Sequence, residues 1–586
     1  MKKISFAVLM AALGFATAPG AALASGVDYP DADWSEASIT EADGTVLHAD
    51  VLRPKGAGLD ASHKTPVIVS IGPYFNHSGQ TGPAGPAENS AYDPVGPNAG
   101  PSERFADFVE GSGLLKKGYS FVMVDLRGFG GSTGCLDWAG PGEQSDVKSA
   151  IEWAATQPWS DGSVGTYGKS YDGMTGLMAA ALQPKGLKAV VAQEPVYDDY
   201  RYLYGDGIRR ENSLATPALY DAISLTPGPV LDTTNPTYNV SANQENVQTP
   251  GCHAQNFANQ AGNDDHTNAY WTQRNIINNV KGSNVPIFLT QGMTENNTAP
   301  DGVAEFLQNH TGPERGWMGP WNHVRGNEMD GAKLAEGRKG WFDEVLRYYD
   351  QYLKGIAPTT VDPPFAIQSV TTGKWRPELE WPPADAVGYT TPLAAGSYTD
   401  DAQASGTGDN AAGVWTVSKP LPYDVHTAGA ATITVDVSSP TPNSNLVADI
   451  YDLDATGKGP LVARQGSLIR ANGKVTLHMM SADWRFVAGH RIGVRITDNN
   501  SEWWIAAIPT QQTVTVSGGT ATFPFLTYNR TQRIQGDSGT TRAAWLANTE
   551  TAPAAAVTGA KDFVLPPALA PEPAEMKAKL DAFIGK

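Results

Sequence analysis

One serine lies in a glycine-rich segment whose pattern is typical of a catalytic nucleophile. The segment GKSYDG, residues 168–173, follows the β-type run 163–167 and precedes a helical apolar pattern over 172–182. A tight strand-to-helix turn needs small residues where backbone segments crowd together, and it lifts the serine hydroxyl above the sheet. We therefore predict that Ser170 is a nucleophile. The closing glycine lies three residues after the serine, one more than in the G-x-S-x-G pattern.

A nucleophilic serine needs a base, and in this kind of turn the acid and then the base follow the serine along the chain. Two histidines remain once those in other regions are set aside. His310 ends a helix-like segment, whereas His323 lies in GPWNH, in a loop after a short apolar run. A base belongs on a loop at the carboxyl edge of a sheet, so we predict that His323 is the base.

Two carboxylates could orient this base. Glu295 comes three residues after Gly292, which ends the predicted strand VPIFLTQG, residues 285–292. Asp301 stands before a predicted helix and could be its N-cap. Glu295 is the favoured acid, and Asp301 stays open as the alternative.

Two donors could stabilise an oxyanion. The backbone N–H of Tyr171 lies at the start of the predicted helix, where it can face a developing negative charge. Tyr74 lies just after the predicted strand 65–71 and could direct its phenol at the same place. The alternative for Tyr74 is a packed loop tyrosine.

The segments that must position these residues alternate between strand and helix. Apolar runs predict strands, and helical spacing of apolar residues predicts a helix over 145–157 as well as over 172–182. Continuous apolar strands separated by helices indicate an α/β domain with a parallel sheet covered on both faces. We place this domain at residues 25–375. Its predicted strands cover residues 65–74, 119–128, 163–167, 187–195 and 285–292.

An insertion interrupts this alternation over about 197–283. It is rich in Asn, Asp, Tyr and Pro, and it includes a helix-like segment over 266–280. Insertions of this length between two strands commonly form a lid, so we predict a helical cap over the site.

The chain after residue 375 has a different pattern. Alternating strands predict an all-β sandwich, of the jelly-roll type, over 376–545. Residues 546–586 are rich in Ala and Pro and predict an extended tail that ends in a short helix. The predicted strands cover residues 431–439, 445–454, 474–480, 490–498 and 512–519.

The N-terminus is typical of a secretory signal. Lys2 and Lys3 precede an apolar run, and a small-residue site predicts cleavage after Ala24, which makes residues 1–24 a signal peptide. A short membrane anchor is the alternative. The final compartment is then the periplasm or the medium.

Composition narrows the possible partners and the redox chemistry. The net charge of −19 predicts that the protein does not bind nucleic acid or anionic lipid. Cys135 and Cys252 are the two cysteines, and in an exported protein they predict one disulfide; two free thiols are the alternative. The sequence carries no signal of oligomeric state.

Several motifs in one order resemble the Xaa-Pro dipeptidyl-peptidase and cocaine-esterase-like serine hydrolases. The resemblance covers about residues 30–540 and implies an α/β-hydrolase domain, a helical cap and a C-terminal jelly roll. It implies Ser170 as nucleophile, His323 as base and Tyr74 as oxyanion tyrosine. The predicted acyl transfer by these residues needs no metal or organic cofactor. The family acid is normally Asp, so Glu295 is a departure. The motifs are GPY (72–74), DLRGFGGSTG (125–134), GKSYDG (168–173), GMTENNTAPDG (292–302) and GPWNH (319–323).

The resemblance leaves the substrate open between a small peptide and an ester. The GKSY form is similar to the peptidase branch, which must recognise a free N-terminal ammonium and therefore needs carboxylates near the acyl pocket. Glu194, Asp198 and Asp199 follow a predicted strand where the cap begins and are candidates. Solvated acidic residues are the alternative reading. We predict a serine hydrolase that removes Xaa-Pro dipeptides from the N-termini of peptides. The alternatives are an esterase or acylase of small acyl or α-amino-acid esters with the same triad and, more remotely, a non-catalytic carbohydrate-binding protein.

Overall fold

The computed structural model describes residues 29–57, 62–75, 100–210, 212–224, 251–402, 411–500 and 508–584. The predicted signal peptide, residues 1–24, lies outside the described residues. Among the residues described, no helix combines the length and the apolar character that crossing a membrane requires.

Within the described residues, ten strands form a central sheet in the order β1-β2-β4-β3-β5-β6-β9-β10-β13-β14, and two short hairpins, β7–β8 and β11–β12, lie outside it. The strands are β1 Ala32–Thr40, β2 Val46–Pro54, β3 Thr65–Gly72, β4 Ser120–Asp125, β5 Ser160–Lys169, β6 Leu187–Gln193, β7 Tyr204–Gly205, β8 Ile208–Arg209, β9 Ile287–Gly292, β10 Glu314–Gly319, β11 Met329–Asp330, β12 Lys333–Leu334, β13 Phe365–Gln368 and β14 Trp375–Glu378.

The sheet is parallel from β4 to β13 and antiparallel at both ends. β2 runs antiparallel to β1 and β4, and β14 runs antiparallel to β13. The predicted parallel sheet is therefore confirmed for its central part only. The carboxyl ends of β5, β9 and β10 meet at one edge, which brings the residues after each of them together.

Helices cover both faces of the sheet, because alternate residues of its buried strands point to opposite cores. Val67 and Val69 belong to one core with Ile151 of the helix Pro141–Thr156, whereas Ile68 belongs to the other core with Val345 of the helix Trp341–Lys354. The helices are α1 Ala106–Gly111, α2 Pro141–Thr156, α3 Tyr171–Leu182, α4 Asp199–Leu203, α5 Asn212–Ser224, α6 Cys252–Ala261, α7 Ala269–Thr272, α8 Ile276–Asn279, α9 Val303–Asn309, α10 Trp341–Lys354, α11 Arg542–Ala547, α12 Ala554–Thr558 and α13 Ala574–Asp581.

The inserted region between β6 and β9 contains five of these helices, α4 to α8, among its described residues. The helix-like segment predicted over 266–280 contains two short helices, α7 and α8, because two asparagines divide it. The side chain of Asn268 accepts a hydrogen bond from the backbone of Tyr270 and begins α7, and the side chain of Asn275 accepts one from Asn278 and begins α8. Asparagine favours such N-caps over helix interiors.

A C-terminal all-β domain packs two sheets face to face, as predicted. One sheet has the order β22-β19-β25-β18-β23 with β15 and β16 also paired to β25, and the other has the order β17-β24-β20-β21-β26. The strands are β15 Ala386–Leu393, β16 Gly396–Thr399, β17 Val414–Val417, β18 Val425–Gly429, β19 Thr432–Ser438, β20 Ser444–Leu453, β21 Lys458–Ile469, β22 Gly473–His478, β23 Ala482–Phe486, β24 Arg491–Thr497, β25 Thr513–Leu526 and β26 Thr549–Thr551.

The tail returns to the first domain after crossing the second. β26 pairs with β21, and Ala570 then forms a bridge with Tyr528. After α13, Phe583 is buried in the same core cluster as Tyr29. The C-terminal segment therefore packs along both domains rather than extending away from them.

The buried side chain of His48 contacts carboxylates on the two strands that flank β2 in the central sheet. On β2, His48 contacts Asp125 through Nδ1 at 3.0 Å and Glu36 through Nε2 at 2.9 Å. Burial opposes the imidazolium form, but the hydrogen bonds to Asp125 and Glu36 outweigh this effect and raise the pKa of His48 from 6.5 to about 10. The folded state therefore binds this proton more tightly than the unfolded chain does.

This linkage predicts a pH dependence of stability. The stabilisation by charged His48 is complete below pH 6.5 and is lost as pH rises through about 10. We expect His48→Gln to lower the thermal midpoint at neutral pH. Between neutral pH and a pH of about 10, the variant should lose at least about 1 kcal/mol less stability than the unmodified protein loses. Circular dichroism melts across this range measure it. The exposed-histidine variant His478→Gln is the control, and equal pH slopes for both variants would contradict the prediction.

Candidate active site

Ser170 lies on a strained turn between β5 and α3. Its backbone has φ 63° and ψ −122°, and its N–H donates to the carbonyl of Gln193 at 2.9 Å. A non-glycine residue held at such a positive φ costs about 1–3 kcal/mol, which the surrounding contacts must offset. A Cβ at Gly168 would lie 2.2 Å from the backbone oxygen of Asp172, so only glycine fits there. The predicted glycine requirement therefore has a direct steric cause.

An arginine from another segment supports this turn. Arg104 is fully buried and forms an ion pair with Asp172 at the start of α3. It also donates to the carbonyl of Lys169 at 3.2 Å, and its guanidinium lies 3.8 Å from the ring centre of Tyr74. Arg104 thus contacts both the β5–α3 turn that carries Ser170, called the nucleophile elbow below, and the predicted oxyanion residue Tyr74. The sequence analysis missed Arg104, since its only signal is a charged residue in a loop.

His323 and Glu295 form a close pair at the carboxyl edge of the sheet. The Nδ1 atom of His323 lies 2.6 Å from Oε1 of Glu295. Thr298 donates to the two oxygens of Glu295, from its backbone N–H at 2.9 Å and from its hydroxyl at 2.7 Å. Glu295 reaches His323 from the loop after β9, and His323 comes from the loop after β10. This pairing holds the imidazole with its other nitrogen available for proton transfer.

The electrostatics of the pair suit a base and its orienting acid. Burial opposes the charge of Glu295, but His323 and the hydrogen bonds to the carboxylate lower its pKa to about 2. Burial and the positive charge of Lys169 lower the pKa of His323, against the opposite effect of Glu295. Nε2 of His323 is buried and has no hydrogen-bond partner among the described residues. A neutral imidazole beside an ionised carboxylate is the form that accepts a proton from a serine.

Asp301, the alternative acid, has different partners. It contacts Arg201 at 3.2 Å, forms an ion pair with Arg210 and accepts a hydrogen bond from Gln465 at 3.0 Å. These contacts join the cap to the all-β domain. The geometry therefore favours Glu295 as the partner of His323.

Glu194 lies behind the acid loop, which does not suit the ammonium role predicted for it. The side chain is fully buried, and neighbouring Glu295 adds to burial in raising its pKa. Both of its oxygens accept hydrogen bonds from groups inside the protein, which does not favour it as the partner of a substrate ammonium. Four groups donate to Glu194: the hydroxyl of Thr290 at 3.1 Å, the amide of Gln291 at 3.3 Å, the N–H of Gly292 at 2.8 Å and the indole of Trp321 at 2.8 Å.

The two aspartates after β6 differ from each other. Asp198 is the N-cap of α4, accepting from the backbone of Tyr200 at 2.9 Å and from the side chain of Asn275 at 2.7 Å. Both of its oxygens are therefore engaged within the cap. Asp199 is 1% exposed, and its Oδ2 has no hydrogen-bond partner in the described part of the chain. Burial raises the pKa of Asp199 to about 8, with Arg274 acting in the opposite direction.

Aromatic residues from the cap and the first domain meet beside Ser170. The hydroxyl of Tyr74 hydrogen-bonds that of Tyr220 on α5. The ring of Tyr220 lies 5.3 Å from the rings of both Trp138 and Tyr171. The Tyr171 hydroxyl donates to Glu143 at 2.7 Å. These rings form an aromatic wall next to the nucleophile and include both predicted oxyanion residues.

A disulfide and hydrogen bonds fix the loop that carries Trp138. Cys135 is bonded to Cys252 at the start of α6, so the predicted disulfide is present. Arg274 donates to the carbonyl of Trp138 at 2.9 Å, and Asn256 donates to that of Leu136 at 2.6 Å. The cap thus sets the position of one side of the aromatic wall.

Comparisons with known proteins agree with this architecture. Residues 43–325 match the model of the X-Pro dipeptidyl-peptidase (S15) family. A Streptomyces avermitilis protein provisionally assigned as an Xaa-Pro dipeptidyl-peptidase is 25% identical over 446 residues, which span 69% of this chain and 61% of that protein. The chain thus spans less than two thirds of this relative.

Two solved structures share the fold. A CocE/NonD family hydrolase from Staphylococcus aureus has a TM-score of 0.60 and 17% identity, covering 84% of this chain and 93% of its own. An α-amino acid ester hydrolase has a TM-score of 0.59 and 19% identity, covering 87% and 98%. The fold and these likenesses show that the chain has the α/β-hydrolase fold. The family match and the sequence relative show that it is similar to the Xaa-Pro dipeptidyl-peptidases, and the predicted resemblance is confirmed.

The two candidate acids predict different variant behaviour. Glu295→Gln leaves the shape of the site but presents an amide to His323, so we expect kcat to fall about 10⁴-fold. Asp301→Asn, a matched carboxylate-to-amide change, should lower the thermal midpoint and leave kcat within about threefold, because its contacts are to arginines between domains. Steady-state kinetics on a p-nitrophenyl ester give the comparison. A larger kcat loss in Asp301→Asn would overturn the assignment.

Proposed function

We propose that the protein removes Xaa-Pro dipeptides from the N-termini of short peptides by acyl transfer. The observation that carries the proposal is the His323–Glu295 pair, at the same sheet edge as the strained turn of Ser170. The relationship to the S15 family supports the peptide specificity.

The proposed mechanism has two half-reactions. Ser170 attacks the carbonyl of the second residue from the N-terminus of the peptide, and His323 accepts the serine proton. The resulting imidazolium is stabilised by Glu295, and it then protonates the leaving amine. Water, activated by neutral His323, attacks the acyl-enzyme and releases the dipeptide.

The oxyanion is held by two donors in this mechanism. The N–H of Tyr171 lies at the first residue of α3, and the phenol of Tyr74 lies in the aromatic wall beside it. The contact between Tyr74 and Tyr220 places the oxyanion donor under the influence of the cap. Tyr220 thereby orients the phenol before substrate binds.

The substrate ammonium is assigned to Asp199. Among the three acidic residues considered for this role, Asp199 alone has a buried oxygen that no described group satisfies. Glu143 and Asp137 lie close enough to add negative potential around it. Binding an ammonium there satisfies a buried acceptor that would otherwise cost free energy.

We propose export from the cytoplasm. The Cys135–Cys252 disulfide supports it, because such bonds persist in oxidising compartments.

An esterase of small acyl or α-amino-acid esters is the second candidate. The aromatic wall favours it, since Trp138, Tyr171 and Tyr220 offer an apolar surface that suits an acyl group without requiring proline. Both candidates use the same triad.

The substrate test compares three compounds with mature protein and a Ser170→Ala control. We expect Ser170-dependent release from Gly-Pro-p-nitroanilide and little release from its N-acetylated form, because acetylation removes the ammonium. The third compound is p-nitrophenyl butyrate. Cleavage of the ester without the free anilide would reject the peptidase and leave the esterase.

The ammonium assignment predicts a selective binding defect. Asp199→Asn should raise KM for Gly-Pro-p-nitroanilide at least about tenfold, because a hydrogen bond to a charged group is lost, and should leave the ester KM unchanged. Asp198→Asn is the matched control, since asparagine is also a good N-cap. Equal effects on both substrates would show that Asp199 has no ammonium role.

The oxyanion assignment predicts a slow but active variant. Tyr74→Phe should lower kcat about 100-fold or more with little change in KM, as expected for the loss of one oxyanion donor. Tyr220→Phe should have a smaller effect on the same kinetic constant, because it acts only by orienting Tyr74. A Tyr74→Phe variant with kcat like that of the unmodified enzyme would remove Tyr74 from the mechanism.

A further inference from the structure

Lys169 is a buried lysine at the last position of β5, directly before the nucleophile. Its side chain is fully buried, which is unusual for a lysine unless it has a specific partner. Its Nζ donates to the backbone carbonyl of His323 at 2.8 Å. The residue next to the nucleophile therefore contacts the backbone of the base itself.

Charged groups from several elements surround this lysine. Burial lowers the pKa of Lys169 to about 8, and Glu328 counteracts this effect more than any other carboxylate. Arg325 and Arg104 act in the same direction as burial, whereas Glu295 opposes it. Burial raises the pKa of Glu336, and the positive charge of Lys169 acts in the opposite direction. Burying such a cation is costly, so the position is not explained by stability alone.

The effect of this cation on His323 has a defined sign. Lys169 and Arg104 disfavour a second positive charge on the imidazole, whereas Glu295 favours it, and burial adds to the effect of the two cations. The neutral base therefore persists to lower pH than in an ordinary histidine. The same contact limits the distance over which the His323 loop can move from the elbow, because one hydrogen bond joins them.

We propose that Lys169 is a positioning residue whose ammonium group ties the His323 loop to the nucleophile elbow and whose positive charge favours the neutral imidazole. This proposal rests on the proposed serine mechanism but not on the identity of the acyl group. The motif GKSY then has a role for its lysine that is separate from substrate recognition.

The test uses the rate at which a fluorophosphonate probe labels Ser170, which depends on the nucleophile and its base rather than on peptide specificity. We expect Lys169→Met to slow labelling about 100-fold at mildly alkaline pH, the loss typical of a small displacement of reacting groups. The acid limb of its pH profile should also move to higher pH. Lys148→Met, which removes an exposed lysine from α2, is the matched control and should behave like the unmodified protein.

Each outcome has a separate meaning. A slower rate with an unshifted acid limb, or a rate equal to that of the control, would overturn the proposal. Absence of labelling in the unmodified protein would instead reject the serine mechanism itself.

Folding of the variant does not limit the test. If melts show that Lys169→Met is unfolded, Lys169→Gln replaces it, with an uncharged amide and the same expected shift. The unmodified protein gives a third measurement, because its acid limb should lie below about 6.5, the ordinary histidine value. An acid limb at or above that value would overturn the electrostatic part whatever the variants do.

Discussion

The turn at Ser170 is the constraint on which the rest of the site depends. A residue with a side chain is held at φ 63° where β5 meets α3, and the molecule must offset the strain. It does so with the hydrogen bond from the Ser170 N–H to the carbonyl of Gln193 and with a buried ion pair between Arg104 and Asp172, while glycine at position 168 leaves room for the backbone of Asp172. Arg104 also lies against Tyr74, so the same cation contacts both the strained turn and the residue predicted to stabilise the oxyanion.

Charge balance is the second requirement, because the site buries several ionisable groups within a few residues of the nucleophile. His323 and Thr298 lower the pKa of Glu295, while burial and the charge of Glu295 raise the pKa of Glu194 behind it. Lys169 supplies positive charge on the other side of His323. Removing one partner from such a set leaves an uncompensated buried charge, so these residues act as a unit rather than as additive contributors.

Much of this arrangement could be predicted from the sequence because it depends on local patterns. The elbow, the strands before Glu295 and His323, and the cysteine pair all have short signatures. The division of 266–280 into two helices depends on Asn268 and Asn275 acting as caps, which a helical periodicity does not reveal. Burial is not a local property either: Glu194 and Asp199 are both acidic and five residues apart, and only the fold separates an enclosed carboxyl from an unsatisfied one.

The cap is in contact with both the first domain and the all-β domain. The disulfide and Arg274 connect it to the Trp138 loop, and the contacts of Asp301 with Arg210 and Gln465 connect it to the all-β domain. The aromatic wall combines residues of the cap and of the first domain, so a change in either part alters it. The His323–Glu295 pair, by contrast, lies at one edge of the central sheet.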